Sequence, residues 1–230
     1  MDSEKKYYDR WILKETDVLN RLHRYVSDTI RTAVERNDDF DSFEELLDIL
    51  VLTIISELHD YYIEEYSTAY EEGLDGLIES EPDRAAAVES AERYVDGKNF
   101  QDRVAEYADK LYADVLLSAD SDYTRAEQSI DNSLDLLVAT DGLRVRSEAR
   151  QSAGEELSSV GYIVTKTWRT MLDERVRYTH FELEGKTLPI DGWFETYRGR
   201  AQYPGGFGVA EEDCGCRCTI VIRAILPEEV

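Results

Sequence analysis

The sequence predicts an α+β protein, with a mainly α-helical portion over residues 1–142 followed by a small, loop-rich α+β module over 143–230. Three observations predict it. Apolar residues recur at helical spacing along most of the chain up to about residue 159. From Gly161 the period changes, and β-branched and aromatic residues alternate with polar ones. Turn signals then crowd the tail, at Glu184-Gly185, Asp191-Gly192, Arg198-Gly199 and Pro204-Gly205-Gly206.

The first helix is expected over residues 5–36, with Tyr8, Trp11, Ile12, Leu19, Leu22, Val26, Ile30, Ala33 and Val34 on one face. Asn37-Asp38-Asp39 breaks it. The second starts at Ser42, where Glu45 three residues on completes a capping box, and runs to about Glu72 with Gly73 as its stop. These two form an antiparallel hairpin. Ser80 followed by Pro82 opens an alanine-rich helix that ends near Gly97. Two further stretches carry Phe100, Val104, Tyr107, Leu111 and Val115, then Tyr123, Ile130, Leu134 and Leu137. Asp141-Gly142 separates them from a last helix over about 143–159, faced by Val145, Ala149, Ala153 and Leu157. Strands follow at Tyr162–Trp168 and Thr219–Ile222.

Composition bounds the function. At 230 residues and 42% hydrophobic, the chain can bury a real core in one domain or two. Fifty acidic residues against 26 basic give a net charge of −24, and the imbalance is local: residues 161–230 are close to neutral at −2, which leaves −22 on residues 1–160. A surface this acidic repels itself at low salt, and we read it as adaptation to a hypersaline interior; the plainer alternative is an acidic face that docks on a basic partner. It excludes broad attachment to DNA phosphates, which depends on Lys and Arg displacing counterions. Limited DNA contact falls to the C-terminal module, through Arg175, Arg177, Arg198, Arg200 or Arg217, unless these only make surface ion pairs. The acidic start Met1-Asp2-Ser3-Glu4 is unlike a signal peptide, and the most apolar run, Leu46–Leu58, is short and interrupted by Asp48 and Glu57. No membrane role is expected, and synthesis is expected in the cytoplasm.

The chemistry-bearing residues cluster late. All three cysteines, Cys214, Cys216 and Cys218, lie within five residues, downstream of His180. In an extended segment the three thiols share a face, and with His180 they make a tetrahedral set for structural zinc. The spacing C-x-C is not a standard zinc spacing, so reduced thiols that merely pack remain the alternative. Asp173, Arg175, Arg177 and His180 form a polar cluster after the strand. Its bland reading has Asp173 cap a turn while the arginines bridge carboxylates such as Glu182 and Glu184. Its catalytic reading makes Asp173 and His180 an acid/base pair or part of a hydrolytic metal centre. The bland reading is preferred, because no nucleophile stands nearby. His23 and His59 read as ordinary helix residues, and Trp168 and Trp193 as core anchors. No phosphate-binding loop is present.

Taken together, Trp168, Asp173, Arg175-Val176-Arg177, His180, Glu184-Gly185, Pro204-Gly205 and Cys216-Arg217-Cys218 follow in order as W-x(4)-D-x-R-V-R-x-x-H, an acidic residue and Gly, a Pro-Gly turn and C-R-C. Over roughly residues 144–222 this resembles the phage Mu F-like minor head proteins, or phage head morphogenesis proteins. Cys214 is an addition to that pattern. The resemblance implies a minor capsid protein of a tailed virus, not an enzyme, that associates with the portal protein and serves head assembly, genome packaging or delivery. The acidic composition adds the expectation of a haloarchaeal or otherwise extremely halophilic host. The implied place is the head interior near the portal vertex, with the major capsid protein as a further contact. With the chain ending at Val230, no appended enzyme domain is expected. The rival classes are a metal-dependent hydrolase or nuclease built on Asp173, His180 and the cysteines, and an effector delivered with the genome.

Overall fold

The structure, a computed structural model, describes residues 2–36, 40–74, 76–78, 83–95 and 123–227. Its helices are α1 (Asp2–Arg36), α2 (Phe40–Leu74), α3 (Arg84–Val95) and α4 (Tyr123–Ser159), followed by β1 (Ile163–Arg169), α5 (Tyr178–Phe181), β2 (Thr187–Pro189), β3 (Phe194–Thr196), β4 (Gly199–Ala201), α6 (Ala210–Asp213) and β5 (Thr219–Ile225). The fold class is therefore α+β, with the helices first. The breaks at 37–39, the Ser80–Pro82 cap, Gly97 and the stretch from Phe100 to Val115 lie outside the described residues. Among the described residues no helix is long and apolar enough to cross a membrane.

The chain forms two compact units, residues 1–61 with 92–138 and residues 62–91 with 139–230. In the first, the helical periodicity is realised as packing. Val18, Leu22, Val26 and Ile30 of α1 are buried, as are Leu47, Leu50, Ile54 and Leu58 of α2 and Leu134, Leu137 and Val138 of α4. The steps are three or four residues, with the adjacent Leu137 and Val138 sharing the α4 stripe, which keeps one face of each helix inward. Arg21 Nε lies 2.9 Å from Glu57 Oε2, and the Tyr25 hydroxyl donates to Glu57 Oε1 at 3.3 Å. These pairings match a chain that doubles back between α1 and α2. Threonines within the helices satisfy their hydroxyls locally: Thr16, Thr29, Thr32 and Thr53 each donate to the carbonyl four residues earlier.

In the second unit a three-stranded antiparallel sheet, ordered β2-β1-β5, packs against α4, which meets Ile222 at Gly154 and Thr219 at Arg150. The register pairs Trp168 with Ile220 and Thr167 with both Val221 and Thr187. β3 and β4 make a separate hairpin. On α4, Val145, Ala149, Ala153 and Leu157 are buried as their spacing requires. A Cβ on Gly154 would come 2.5 Å from the Ile190 side chain, so the missing side chain lets the helix settle on the sheet. Asp141 and Gly142 stand inside α4 rather than at its start. A mid-helix Gly costs only about 1 kcal/mol, and here both residues are buried, with Asp141 held 3.2 Å from Arg144 one turn on. At α3 the cap is Asp83, whose carboxylate accepts from the Ala85 N–H at 2.9 Å.

Gly73, expected to stop α2, lies inside it against α4. A methyl there would sit 2.7 Å from the Ala153 Cβ and 3.4 Å from the Arg150 Cα, with no flexible side-chain end to yield. Gly73→Ala should therefore destabilise, the overpacking cost of about 1–3 kcal/mol exceeding the helix-propensity gain of about 1 kcal/mol. A thermal melt equal to or above that of the unaltered protein would refute this. Close by, Arg146 Nη1 lies 2.8 Å from Glu65 Oε2, both buried, and Arg150 donates to Thr219 Oγ1 at 2.6 Å and to the Ile220 carbonyl at 3.2 Å. Arginine suits this work because its planar fork serves several acceptors at once.

Candidate metal centre

The two halves of the C-terminal motif close on each other. After β1 the chain turns through Leu172, the one non-glycine residue with positive φ (53°) among those described. Asp173 Oδ1 accepts from the Arg175 N–H at 3.1 Å and from Arg217 Nη2 at 2.6 Å, and the Arg217 guanidinium holds this carboxyl below its ordinary range. Asp173 thus caps a turn, as its bland reading required. Arg177 goes elsewhere than expected, its Nη2 donating to the Cys214 carbonyl. Glu184 is held by Arg169 Nη1 at 3.0 Å and by the Thr170 N–H at 2.6 Å. Gly185, at φ 74°, makes the turn whose N–H reaches the Trp168 carbonyl at 2.9 Å.

α5 places His180 in the interior, between the edge of Trp168 (centroids 5.3 Å apart) and the face of Phe207 (5.8 Å). Its Nδ1 lies 3.5 Å from Cys216 Sγ and 3.4 Å from Cys218 Sγ, and all three donor atoms fall within 4.8 Å of one another. Two metal–ligand bonds of about 2.3 and 2.1 Å at a tetrahedral angle set sulfur and nitrogen about 3.5 Å apart, so the spacing fits zinc. Cys216 and Cys218 are buried; Cys214 is half-buried, and its sulfur stands outside this group. The structure thus gathers three of the four donors singled out in the sequence. The Cys218 thiol donates to Cys216, which pulls the Cys216 thiol down to about 5 against the effect of burial, with His180 assisting. The same contact, together with burial, pushes Cys218 up. One sulfur is therefore ready as a thiolate, the form that binds metal.

Two carboxylates complete the centre. Glu212, fully buried, lies 3.0 Å from His180 Nε2, accepts from Thr179 Oγ1 at 2.8 Å and Thr196 Oγ1 at 3.1 Å, and faces Arg198 Nη1 at 3.5 Å. A carboxylate this close to the second ring nitrogen of a ligating histidine favours one orientation of the ring. Asp213, also fully buried, accepts from the N–H groups of Phe207, Gly208 and Val209 at 3.1, 2.7 and 3.3 Å. That binds the loop after Pro204-Gly205, where Gly205 (φ 84°) lets Arg144 Nε reach its carbonyl at 2.9 Å. Neither carboxylate was singled out in the sequence; the only available signal was their place beside the first cysteine.

Lys166 is a second surprise. It points inward from β1, donates to Gln151 Oε1 at 2.9 Å and sits 5.7 Å from the centre of the Phe194 ring. Burial lowers its amine from 10.5 to about 8, against Glu155 and Asp191, which favour the charged form. The unfolded chain holds this proton more tightly, so folding strains the charged form by about 3 kcal/mol at neutral pH and the strain is relieved as pH rises from about 8 to 10.5. Wild type should gain stability on Lys166→Met across that window in urea titrations. Parallel pH profiles for the two would refute the assignment.

Residues 85–221 match the family described as phage Mu protein F like protein. The chain is 40% identical over 95 residues to a protein of Enterococcus faecalis called NAD(+)--arginine ADP-ribosyltransferase EFV, covering 40% of this chain and 19% of that one. It is 30% identical over 113 residues to the minor head protein GP7 of Bacillus phage SPP1, covering 46% of this chain and 36% of the relative. The chain thus spans about a fifth and about a third of the lengths of these relatives. No solved structure matches it. With more than half its length inside the match, the chain belongs to the phage Mu protein F like family.

Proposed function

We propose that this chain is a minor head protein of a tailed virus, working in head morphogenesis. The observation that carries the reading is the family match over residues 85–221, which the likeness to a protein named minor head protein supports. The geometry agrees with an architectural role, because the motif residues serve the module itself. Trp168 fills its core, Asp173 ties to Arg217, Arg177 to the Cys214 carbonyl, and Pro204 is buried. A structural zinc on His180, Cys216 and Cys218 would clamp the loop after β1 to the segment before β5.

The finer reading places the protein in the head interior near the portal vertex, with the portal protein as its main partner and the major capsid protein as a further one. DNA contact would be limited to the C-terminal module. Arg198 and Arg200 suit it best, lying over Tyr197 and Trp193 at 4.7 and 4.9 Å on the exposed hairpin. Antibody labelling of purified virions, with pull-down on the portal protein at high salt, tests this placement. Label on the outer capsid or the tail tip would sink it. The second reading is a metal-dependent hydrolase or nuclease, or an effector delivered with the genome, and the effector form draws on the likeness to the ADP-ribosyltransferase; toxicity on expression in the host, lost in Asp173→Asn or His180→Ala, would favour it.

The halophilic reading gives a separate expectation. With −22 carried by residues 1–160, stability should rise as KCl goes from tenths of molar to molar, because self-repulsion is screened. A melting temperature that stays flat or falls over that range removes it.

A further inference from the structure

We propose that the fourth position of the metal on His180, Cys216 and Cys218 is filled by a small monovalent anion from solvent, held in the arginine-lined cavity beside the cluster, and not by Cys214. This rests on the metal reading above and specifies it. Zinc with nitrogen and sulfur ligands takes four, and among the described residues three donors are gathered.

Cys214 is kept out by its own backbone. Its N–H donates to the Ala210 carbonyl at 3.0 Å as α6 ends, its carbonyl accepts from Arg177, and the next N–H, of Gly215, donates to Thr140 Oγ1 at 3.0 Å. Gly215 then reverses the chain at φ 63°. These anchors fix the backbone on both sides of Cys214, so only rotation of its own side chain could move the sulfur, which stands outside the cluster.

What borders the cluster instead is a cavity of about 10 Å³ whose walls include His180, Cys218, Arg175, Arg177 and Arg217. That volume suits one water-sized atom. Charge selects which atom. Two thiolates balance a divalent cation, and Glu212 behind His180 faces Arg198. Three arginines and no carboxylate line the wall, with Asp173 pairing to Arg217 from outside it, so the residual field is positive and prefers an anion to neutral water.

The test uses the full chain loaded with Co²⁺ in sulfate buffer and titrated with azide. One Co²⁺ per chain is expected, with thiolate-to-cobalt absorption unchanged in Cys214→Ser. Azide should shift the visible ligand-field bands in a saturable way. Arg175→Gln should raise the azide half-saturation several-fold while cobalt stoichiometry holds. Loss of thiolate absorption in Cys214→Ser, with no response to azide, would show a site closed by Cys214 and overturn the proposal. Indifference to both Cys214→Ser and azide would also overturn it, by pointing to another fixed ligand. Failure to bind Co²⁺ at all would instead take down the metal reading, and this proposal with it.

Discussion

Trp168→Ala is expected to remove about 3–5 kcal/mol of stability, the cost of emptying a fully packed aromatic site. Trp168 is fully buried at the end of β1, with Phe194 at 5.0 Å, His180 at 5.3 Å and Phe207 at 6.0 Å between ring centres, all in edge-on geometry. These three rings come from α5, the β3–β4 hairpin and the loop after Pro204, so one indole joins segments that little regular structure connects. A domain holds only about 5–15 kcal/mol in all, and the loss would leave the module near its midpoint. Urea unfolding followed by near-ultraviolet circular dichroism measures it, and Trp168→Phe should recover part of the loss. A cost below about 1 kcal/mol would mean the rings do not share a core.

The helices were legible because their signal is long and repeated. Val145, Ala149, Ala153 and Leu157 announce a buried stripe, and the structure buries all four. Asp141-Gly142 misled for the opposite reason: a two-residue signal is weak, and tertiary burial overrode it. β1 and β5 were visible from their β-branched runs, and β5 extends three residues past the expected end. β2, β3 and β4 have three residues each and were hidden among turn signals, since no period can be read over so few positions. At the site, the cysteines and His180 stood out by rarity and order in sequence. Glu212 and Asp213 did not, because 50 acidic residues leave no statistical contrast for two buried ones. Lys166 sits where alternation demands an apolar residue, and its partner Gln151, on the helix just before β1, becomes visible only once α4 packs on the sheet.

Removing the metal should produce the other large effect. Apparent binding energies for structural zinc reach about 10–16 kcal/mol in small finger peptides, where the metal is nearly the whole core. Here Trp168, Leu183, Phe194 and Ile220 make an apolar core of their own, so the effect should be smaller: a lowered melting temperature and a loosened segment around His180 and Cys214–Cys218, not complete unfolding. The bare site explains why it would still matter. Without metal, Cys216 keeps the Cys218 thiol, the Cys218 N–H and His180 as partners, but no cation ties the two sulfurs and the ring together. Native mass spectrometry should find one metal per chain, lost with a strong chelator. Hydrogen exchange should then quicken in residues 168–218 while the unit of residues 1–61 and 92–138 keeps its protection. Cys218→Ser should reproduce the chelated state without any chelator, which separates metal loss from a direct effect of the reagent. A metal-free protein as isolated, with Cys216 and Cys218 freely alkylated while the fold persists, would leave the cluster as packed thiols and return the clamp to the Asp173–Arg217 and Arg177–Cys214 contacts alone.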